Sequence, residues 1–327
     1  MSGITRKAVR SVALLWIALV AGTAAAAADD YPSRQIQIVV PYTPGGFNDT
    51  LARTVAERLA RMWAVPVVVD NRPGGNTLIG NSAVARAAPD GYTLLITPLP
   101  FAALPALYAN RLPYAQTAFR PLVWAASTPN ALVVRAGLGI SSVRELIDYA
   151  KKNPGKLNFG STGSGSSNHL SMELFMSMTG TKMTHVPYKG SAPAVLAMLS
   201  GDIDVLFDNV PNLIKQIKSD KLKAIAVTGT SRAALLPETP TVEEAGVPGY
   251  EVVVWFGLQV PAGTPTAVVD KLNQAIVAIV REPDVVRSFR EQGVEVVGST
   301  PEAFAQLLRQ EVPKWSKVVN DAGVRIE

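Results

Sequence analysis

Three features of the sequence predict a bilobed α/β body, two α/β domains joined by two hinge crossings. Apolar, β-branched runs alternate with stretches of helical periodicity along the chain. Two strand-to-helix junctions, at 39–53 and 157–175, are glycine-rich in the same way. Two extended runs, near 125–133 and 255–260, are placed to carry the chain from one unit to the other and back. The domains are expected at 29–127 with 253–327, and at 128–252, after a leader at 1–28.

The leader has a basic start (Arg6, Lys7, Arg10), a short apolar core at 11–21, and an alanine run ending Ala26-Ala27-Ala28. That is the pattern of a secretory signal cut at an A-x-A site, here after Ala28, and it points to the periplasm. A membrane anchor needs about 20 apolar residues, more than this core supplies. Cleavage also alters the charge. The full chain carries 31 basic and 26 acidic residues; the leader removes three basic ones, leaving 28 against 26. The basic balance therefore gives no reason to expect nucleic acid. There is no cysteine, which excludes disulfides, cysteine nucleophiles and thiolate metal sites. With 327 residues, 48% hydrophobic and 17% charged, the chain can bury the cores of two globular domains.

In chain order, Ile36, Ile38, Val39 and Val40 read as a buried strand that stops at Pro41. A turn at Pro44-Gly45-Gly46 leads to a helix carrying Leu51, Val55, Leu59 and Met62, with Asn48 or Asp49 as its cap. A buried strand at 65–69, a helix through Ile79, Ala83 and Val84, a turn at Pro89-Asp90-Gly91 and a strand at 92–97 complete a βαβαβ half, the mark of a parallel sheet. The stretch 99–120, rich in proline and aromatics, reads as irregular, and 122–126 as extended.

A second set follows: strand 131–134, helix 143–152, strand 157–161, helix 167–178, strand 184–188, helix 193–199 closed by Gly201, strand 203–207, a helix through Leu213, Ile214 and Ile217, and strand 223–228. Thr241 to Glu244 fits a capping box. Helices opened by Thr264-Pro265 and Thr300-Pro301, the second kinked at Pro313, form the tail and return to the first lobe.

Strand, glycine turn, helix start is a geometry that aims unpaired backbone N–H groups and the positive end of a helix dipole at one point, which suits an anion. The stretch G-S-T-G-S-G-S-S-N-H at 160–169 adds hydroxyls to such a start. Its alternative reading is a flexible loop with an ordinary serine cap. Enzymatic readings fail: no lysine completes a P-loop, and no frame supplies the Gly-x-Ser-x-Gly nucleophile elbow. His169 and His185 are the only histidines and have no metal-ligand spacing, so each reads as a hydrogen-bonded structural residue. No metal and no cofactor is expected. Asp208, at the end of a strand, either receives a ligand donor or caps the next helix. Asp49 reads as a cap or loop brace, because a carboxylate repels an anion. Phe47 lies on the proposed binding turn.

Taken together, the chain resembles the Bug-type periplasmic solute receptors of tripartite tricarboxylate transporters, nearly end to end from Tyr31. The resemblance rests on P-G-G-F-N-D-T-L-A-R at 44–53, N-R-P-G-G-N at 71–76, A-P-D-G-Y-T-L-L at 88–95, L-P-Y at 112–114, N-P-G-K-L-N-F-G-S-T-G-S-G at 153–165, H-V-P-Y-K-G at 185–190, F-D-N at 207–209, P-T-V-E-E-A-G-V-P-G-Y at 240–250 and W-F-G-L at 255–258. It implies a type II periplasmic-binding-protein fold that closes on a small carboxylate and delivers it to membrane permease subunits. It also implies that backbone amides and ordered water from the loops at 43–49 and 161–168 hold the carboxylate, with Tyr188 and Asp208 in the same cleft. Family members usually carry a small polar residue or proline where Phe47 stands, so a ring here suits an aromatic or apolar ligand body. The candidate ligand contacts are Thr43, Gly45, Gly46, Phe47, Asn48 and Asp49 on the first turn, Ser161, Thr162, Gly165, Ser166 and Asn168 on the second, with Tyr188 and Asp208. A monomer is expected. The alternatives are a secreted α/β hydrolase or transferase, and a receptor that feeds a sensor kinase.

Overall fold

The computed structural model describes residues 31–326; the expected leader lies outside them. In chain order the first unit runs β1 (Ile36–Val40), α1 (Phe47–Trp63), β2 (Val67–Asn71), α2 (Leu78–Ala85), β3 (Thr93–Pro98), α3 (Pro100–Tyr108) and β4 (Phe119–Thr128). The second runs β5 (Asn130–Arg135), α4 (Val143–Lys152), β6 (Asn158–Ser161), α5 (Ser167–Thr179), β7 (Thr184–Pro187), α6 (Ser191–Ser200), β8 (Val205–Asn209), α7 (Val210–Lys218) and β9 (Leu222–Val227). The chain then returns through β10 (Val254–Pro261), α8 (Thr266–Val280), α9 (Pro283–Glu291), β11 (Glu295–Val296) and α10 (Pro301–Asp321).

Among the described residues the strands form two sheets, ordered β11-β4-β10-β3-β1-β2 and β7-β6-β8-β5-β9. In each, three consecutive strands pair in parallel, and strands from the crossings extend the sheet antiparallel. This is the bilobed α/β architecture that the alternation of elements predicts. β4 passes through Pro129 straight into β5, one strand in each sheet. The return crossing lies just ahead of β10, not within 255–260: those residues form a buried strand paired on both sides in the first sheet. Thr228 ties the two crossings together. Its Oγ1 accepts from the Asn130 N–H at 2.9 Å and donates to the Val252 carbonyl at 2.7 Å, while the Val252 N–H donates to the Thr228 carbonyl at 2.9 Å.

The period-2 pattern of β1 places Ile36, Ile38 and Val40 against Leu51, Val55 and Leu59 of α1 and the apolar face of α8. Val39 faces the opposite side, toward α3 and α10. That second core continues through Leu132, Phe159, Leu170 and Phe175 of the other lobe. Each fully buried side chain of this kind contributes about 1.5–3 kcal/mol. Inside this core, Glu311 Oε2 accepts from the indole N–H of both Trp255 (3.1 Å) and Trp315 (2.7 Å), fixing α10 to β10.

Several expectations shift. The second strand occupies 67–71 and is half-buried, since it edges the sheet; Val68 is 43% exposed. Met62 lies off the buried stripe of α1 and is exposed. The stretch 99–120 is not irregular: it contains α3, in spite of Pro105 inside it. Pro105 has no N–H for the Phe101 carbonyl, and Gln116 Nε2 donates to that oxygen instead at 3.0 Å. Helix α9 and the short β11 were not anticipated. The Thr241–Glu244 pair forms both reciprocal bonds of a capping box (2.9 and 3.0 Å), yet it closes a turn and no helix follows. Pro313 lies inside one continuous helix, α10. No helix of the described residues is long and apolar enough to cross a membrane.

Candidate functional site

β1 and β6 both end at turns that start helices facing the same cavity, of about 490 Å³. At the first turn, Gly45 has φ +98°, a conformation that L side chains rarely adopt. Gly46 is the N-cap of α1 in extended conformation and offers no side chain to the helix start. The expectation that Asn48 or Asp49 caps α1 is corrected: both lie within its first turn. The Asp49 and Thr50 N–H groups donate to the Gly46 carbonyl at 3.0 Å each, and no side chain caps those of Phe47 and Asn48, the first two of α1.

Asp49 turns away from the cavity. It accepts from the Gly45 N–H (3.1 Å), Arg53 Nε (2.9 Å) and Asn71 Nδ2 (3.0 Å), and so braces the turn from behind. Burial raises its pKa, but the bonds from Arg53, Asn71 and Gly45 outweigh burial and hold it below the usual carboxylate value.

At the second turn, Ser166 caps α5 by accepting from the His169 N–H at 3.3 Å. The side chains nearby are occupied with one another. Thr162 donates to Asn168 Oδ1 (2.6 Å), and Asn168 Nδ2 donates to the Phe207 carbonyl (2.8 Å) and to Asp208 Oδ1 (3.0 Å). Ser161 is fully buried behind the turn, with its Oγ 2.6 Å from His185 Nε2. The His169 ring stacks on His185, and its Nδ1 accepts from the Gly165 N–H at 3.0 Å. This turn presents to the cavity its backbone together with Ser164 and Ser167.

The cavity is lined by eight of the thirteen expected residues: Gly45, Gly46, Phe47, Asn48, Thr162, Ser166, Asn168 and Asp208. Thr43, Asp49, Ser161, Gly165 and Tyr188 are not in its wall. Gly165 lies where the lobes meet: a Cβ there would stand 2.7 Å from Leu107 Cδ1 and 3.1 Å from Asn76 Nδ2. Tyr188 packs partly buried against the second lobe's own core. The Phe47 ring meets Phe256 and Phe289 edge-on, with centroids 4.6 and 5.0 Å away.

Asp208 is wholly buried in the cavity wall. It accepts from Ser191 Oγ, Asn212 Nδ2 (3.0 Å), the Asn209 N–H (2.7 Å) and Asn168 Nδ2. Burial pushes its pKa up, and these four donors resist the shift. It is the only formally charged residue in the lining; no lysine or arginine of the described residues takes part. An anion here would be met by backbone N–H groups and helix dipoles. Among the described residues no group of three or more His, Cys, Asp or Glu is arranged to hold a metal ion. Sequence reasoning missed Asn76, Ser191, Asn209, Asn212 and Phe256 in the wall. Asn76 ends the quoted N-R-P-G-G-N string, and Asn212 follows Asp208 at helical spacing, so both carried a signal.

A larger cavity, about 770 Å³, shares Thr128 and Val294 with this one and carries Arg232, Arg281 and Arg290. Neither glycine turn reaches it.

The family model described as tripartite tricarboxylate transporter family receptor matches residues 51–324. The R. palustris protein Rpa4515, solved with adipate, is 38% identical with a TM-score of 0.81, over 91% of this chain and 100% of that one. The periplasmic binding protein BugD is 36% identical with a TM-score of 0.78, over 90% and 100%. MatC from Rhodopseudomonas palustris, solved with malate, is 30% identical with a TM-score of 0.78, over 88% and 100%.

Proposed function

This chain belongs to the tripartite tricarboxylate transporter receptor family of periplasmic binding proteins, and from that premise we propose that it captures a small carboxylate in the cleft between its lobes by hinge closure and hands it to the membrane permease subunits of such a transporter. The observation that carries the proposal is the convergence of two helix starts, α1 without a side-chain cap and α5 capped by Ser166, on one cavity whose wall has no cationic side chain among the described residues. The ligand carboxylate lies against the N–H groups following Gly45 and Gly46 on one side and those of Thr162, Ser164, Ser167 and Asn168 on the other, since those of Gly163, Gly165 and Ser166 are bonded within the turn. Charge-assisted hydrogen bonds contribute roughly 1.5–3 kcal/mol each, so a few of them suffice for micromolar affinity, near −8 kcal/mol.

The rest of the molecule has a part in this reading. The lobes are 29–127 with 253–327, and 128–252, and they move about the paired crossings that Thr228 ties together. Phe47 and Phe256 offer an apolar wall for the ligand body. The protein is exported by its leader, cut near Ala28, works as a monomer and does not turn its ligand over. Adipate and malate, bound by two structural relatives, head the list of ligands to try.

A thermal-shift series with aliphatic and aromatic mono-, di- and tricarboxylates tests the proposal. A ligand at 100 times its Kd adds about 2.7 kcal/mol to stability, enough to raise Tm visibly. Small-angle scattering with the best ligand is expected to show compaction. No shift from any acid, or turnover of a bound one, overturns the reading.

A further inference from the structure

Asn76 stands apart from the two glycine turns and carries a distinct signal. It lines the cleft from the loop between β2 and α2, and its Nδ2 is buried without a hydrogen-bond partner among the described residues. Its backbone is left-handed (φ +48°), as is that of the next residue, Thr77 (φ +76°). Asparagine tolerates this conformation, but β-branched Thr77 is strained in it. The surroundings impose both conformations. Tyr108 donates its hydroxyl to the Gly75 carbonyl at 2.8 Å. Asn81 donates its Nδ2 to Thr77 Oγ1 at 3.1 Å, and its backbone N–H to the Thr77 carbonyl at 3.0 Å. The Asn76 amide is therefore held in the cleft by a braced loop of the first lobe, against Gly165 of the second: a Cβ on Gly165 would stand 3.1 Å from Asn76 Nδ2.

We propose that Asn76 is a ligand-contacting residue, whose Nδ2 donates to an oxygen of the carboxylate as the lobes close. This deepens the proposed function and rests on it. A buried donor without an acceptor is destabilising, and an anionic oxygen in the cleft removes that cost. Because the wall holds no lysine or arginine among the described residues, a neutral side-chain donor adds directionality where charge attraction is absent. The residue also makes affinity depend on closure, since it reaches the anion from one lobe while the α5 turn reaches it from the other.

The test uses Asn76→Gly, which suits a left-handed backbone and removes only the amide, and Asn76→Asp, which puts a negative charge in its place. Adipate and malate are titrated calorimetrically into the wild type and both variants. With the better-binding acid, Asn76→Gly is expected to weaken binding about tenfold or more, with the Tm of the free protein unchanged or raised. Asn76→Asp is expected to weaken it further. Affinity of Asn76→Gly within twofold of wild type, or Asn76→Asp binding no worse than Asn76→Gly, overturns the proposal. Should the wild type bind neither these acids nor any of the wider series, the proposed function itself fails, an outcome distinct from these.

Discussion

His169 and His185 stack with ring centroids 3.9 Å apart and planes 8° from parallel, behind the turn that starts α5. Each ring holds part of that turn. His169 accepts the Gly165 N–H at Nδ1 and sets Nε2 3.2 Å from Glu173 Oε1, while His185 meets Ser161 Oγ. The geometry requires a bare Nδ1 on His169, with the proton on Nε2 facing Glu173. Burial, and secondarily the neighbouring His169, pushes the pKa of His185 down to about 3.

A pH dependence of stability follows from that shift. Above the ordinary histidine value of about 6.5, His185 is neutral in both the folded and unfolded chain and adds no slope. Below it the unfolded chain takes a proton that the folded one refuses, so stability falls as pH drops from about 6.5 toward about 3. Calorimetry is expected to show Tm falling between pH 7 and pH 5, and falling less in His185→Gln. Equal slopes for the two proteins contradict this role.

Gly46→Asp separates binding from folding. Gly46 has an ordinary extended backbone, and a Cβ there meets nothing within 4 Å. Aspartate is a favoured N-cap, so Tm stays level or rises by a few tenths of a kcal/mol in stability. Its carboxylate, however, takes the helix start proposed for the ligand. Affinity for a carboxylate that binds the wild type should drop by roughly 100-fold or more, as a charge-assisted bond is replaced by repulsion. Unchanged affinity by calorimetric titration contradicts the site.

Gly165→Ala is expected to hinder closure. The residue has φ +77°, and a Cβ would press on Leu107 Cδ1 at 2.7 Å. The left-handed backbone alone costs about 1 kcal/mol or more. Small-angle scattering should find the ligand-saturated variant more open than the wild type, with weaker binding. A compact variant of full affinity would count against closure at this contact.

Asp49→Ala removes the acceptor for Gly45, Arg53 and Asn71, at a cost of about 1–3 kcal/mol for the donors left behind. Because the Asp49 pKa is lowered in the fold, its contribution is present above the unfolded value of about 3.9 and is lost as pH falls through the folded one. Urea unfolding should therefore separate variant from wild type at pH 7 and less so near pH 3. A constant gap at both pH values would contradict the brace.

Much of this fold was legible because its signals are local. The β-branched run at 36–40 and the stripe of Leu51, Val55 and Leu59 carry their own periodicities, as does Gly201 closing α6 at φ +89°. α3 was hidden because Pro105 argues against a helix, and the donor that rescues it, Gln116, lies 15 residues from the Phe101 carbonyl it serves. The two glycine turns were legible as strand-to-helix junctions, and both line one cavity. The roles of the polar side chains around them were not: whether Asn168, which accepts from Thr162, points at a ligand or at Asp208 depends on where β8 ends, 40 residues further on. Asn76 was quoted within a motif, yet only the three-dimensional loop reveals its unpaired amide.

The most direct measurement is a crystal structure of the protein with the carboxylate that raises its Tm most. The expected result places the carboxylate oxygens within hydrogen-bond distance of backbone N–H groups at the starts of both α1 and α5. A ligand lodged in the arginine-bearing cavity beside Arg281 and Arg290, or held by one lobe without the other, would contradict it.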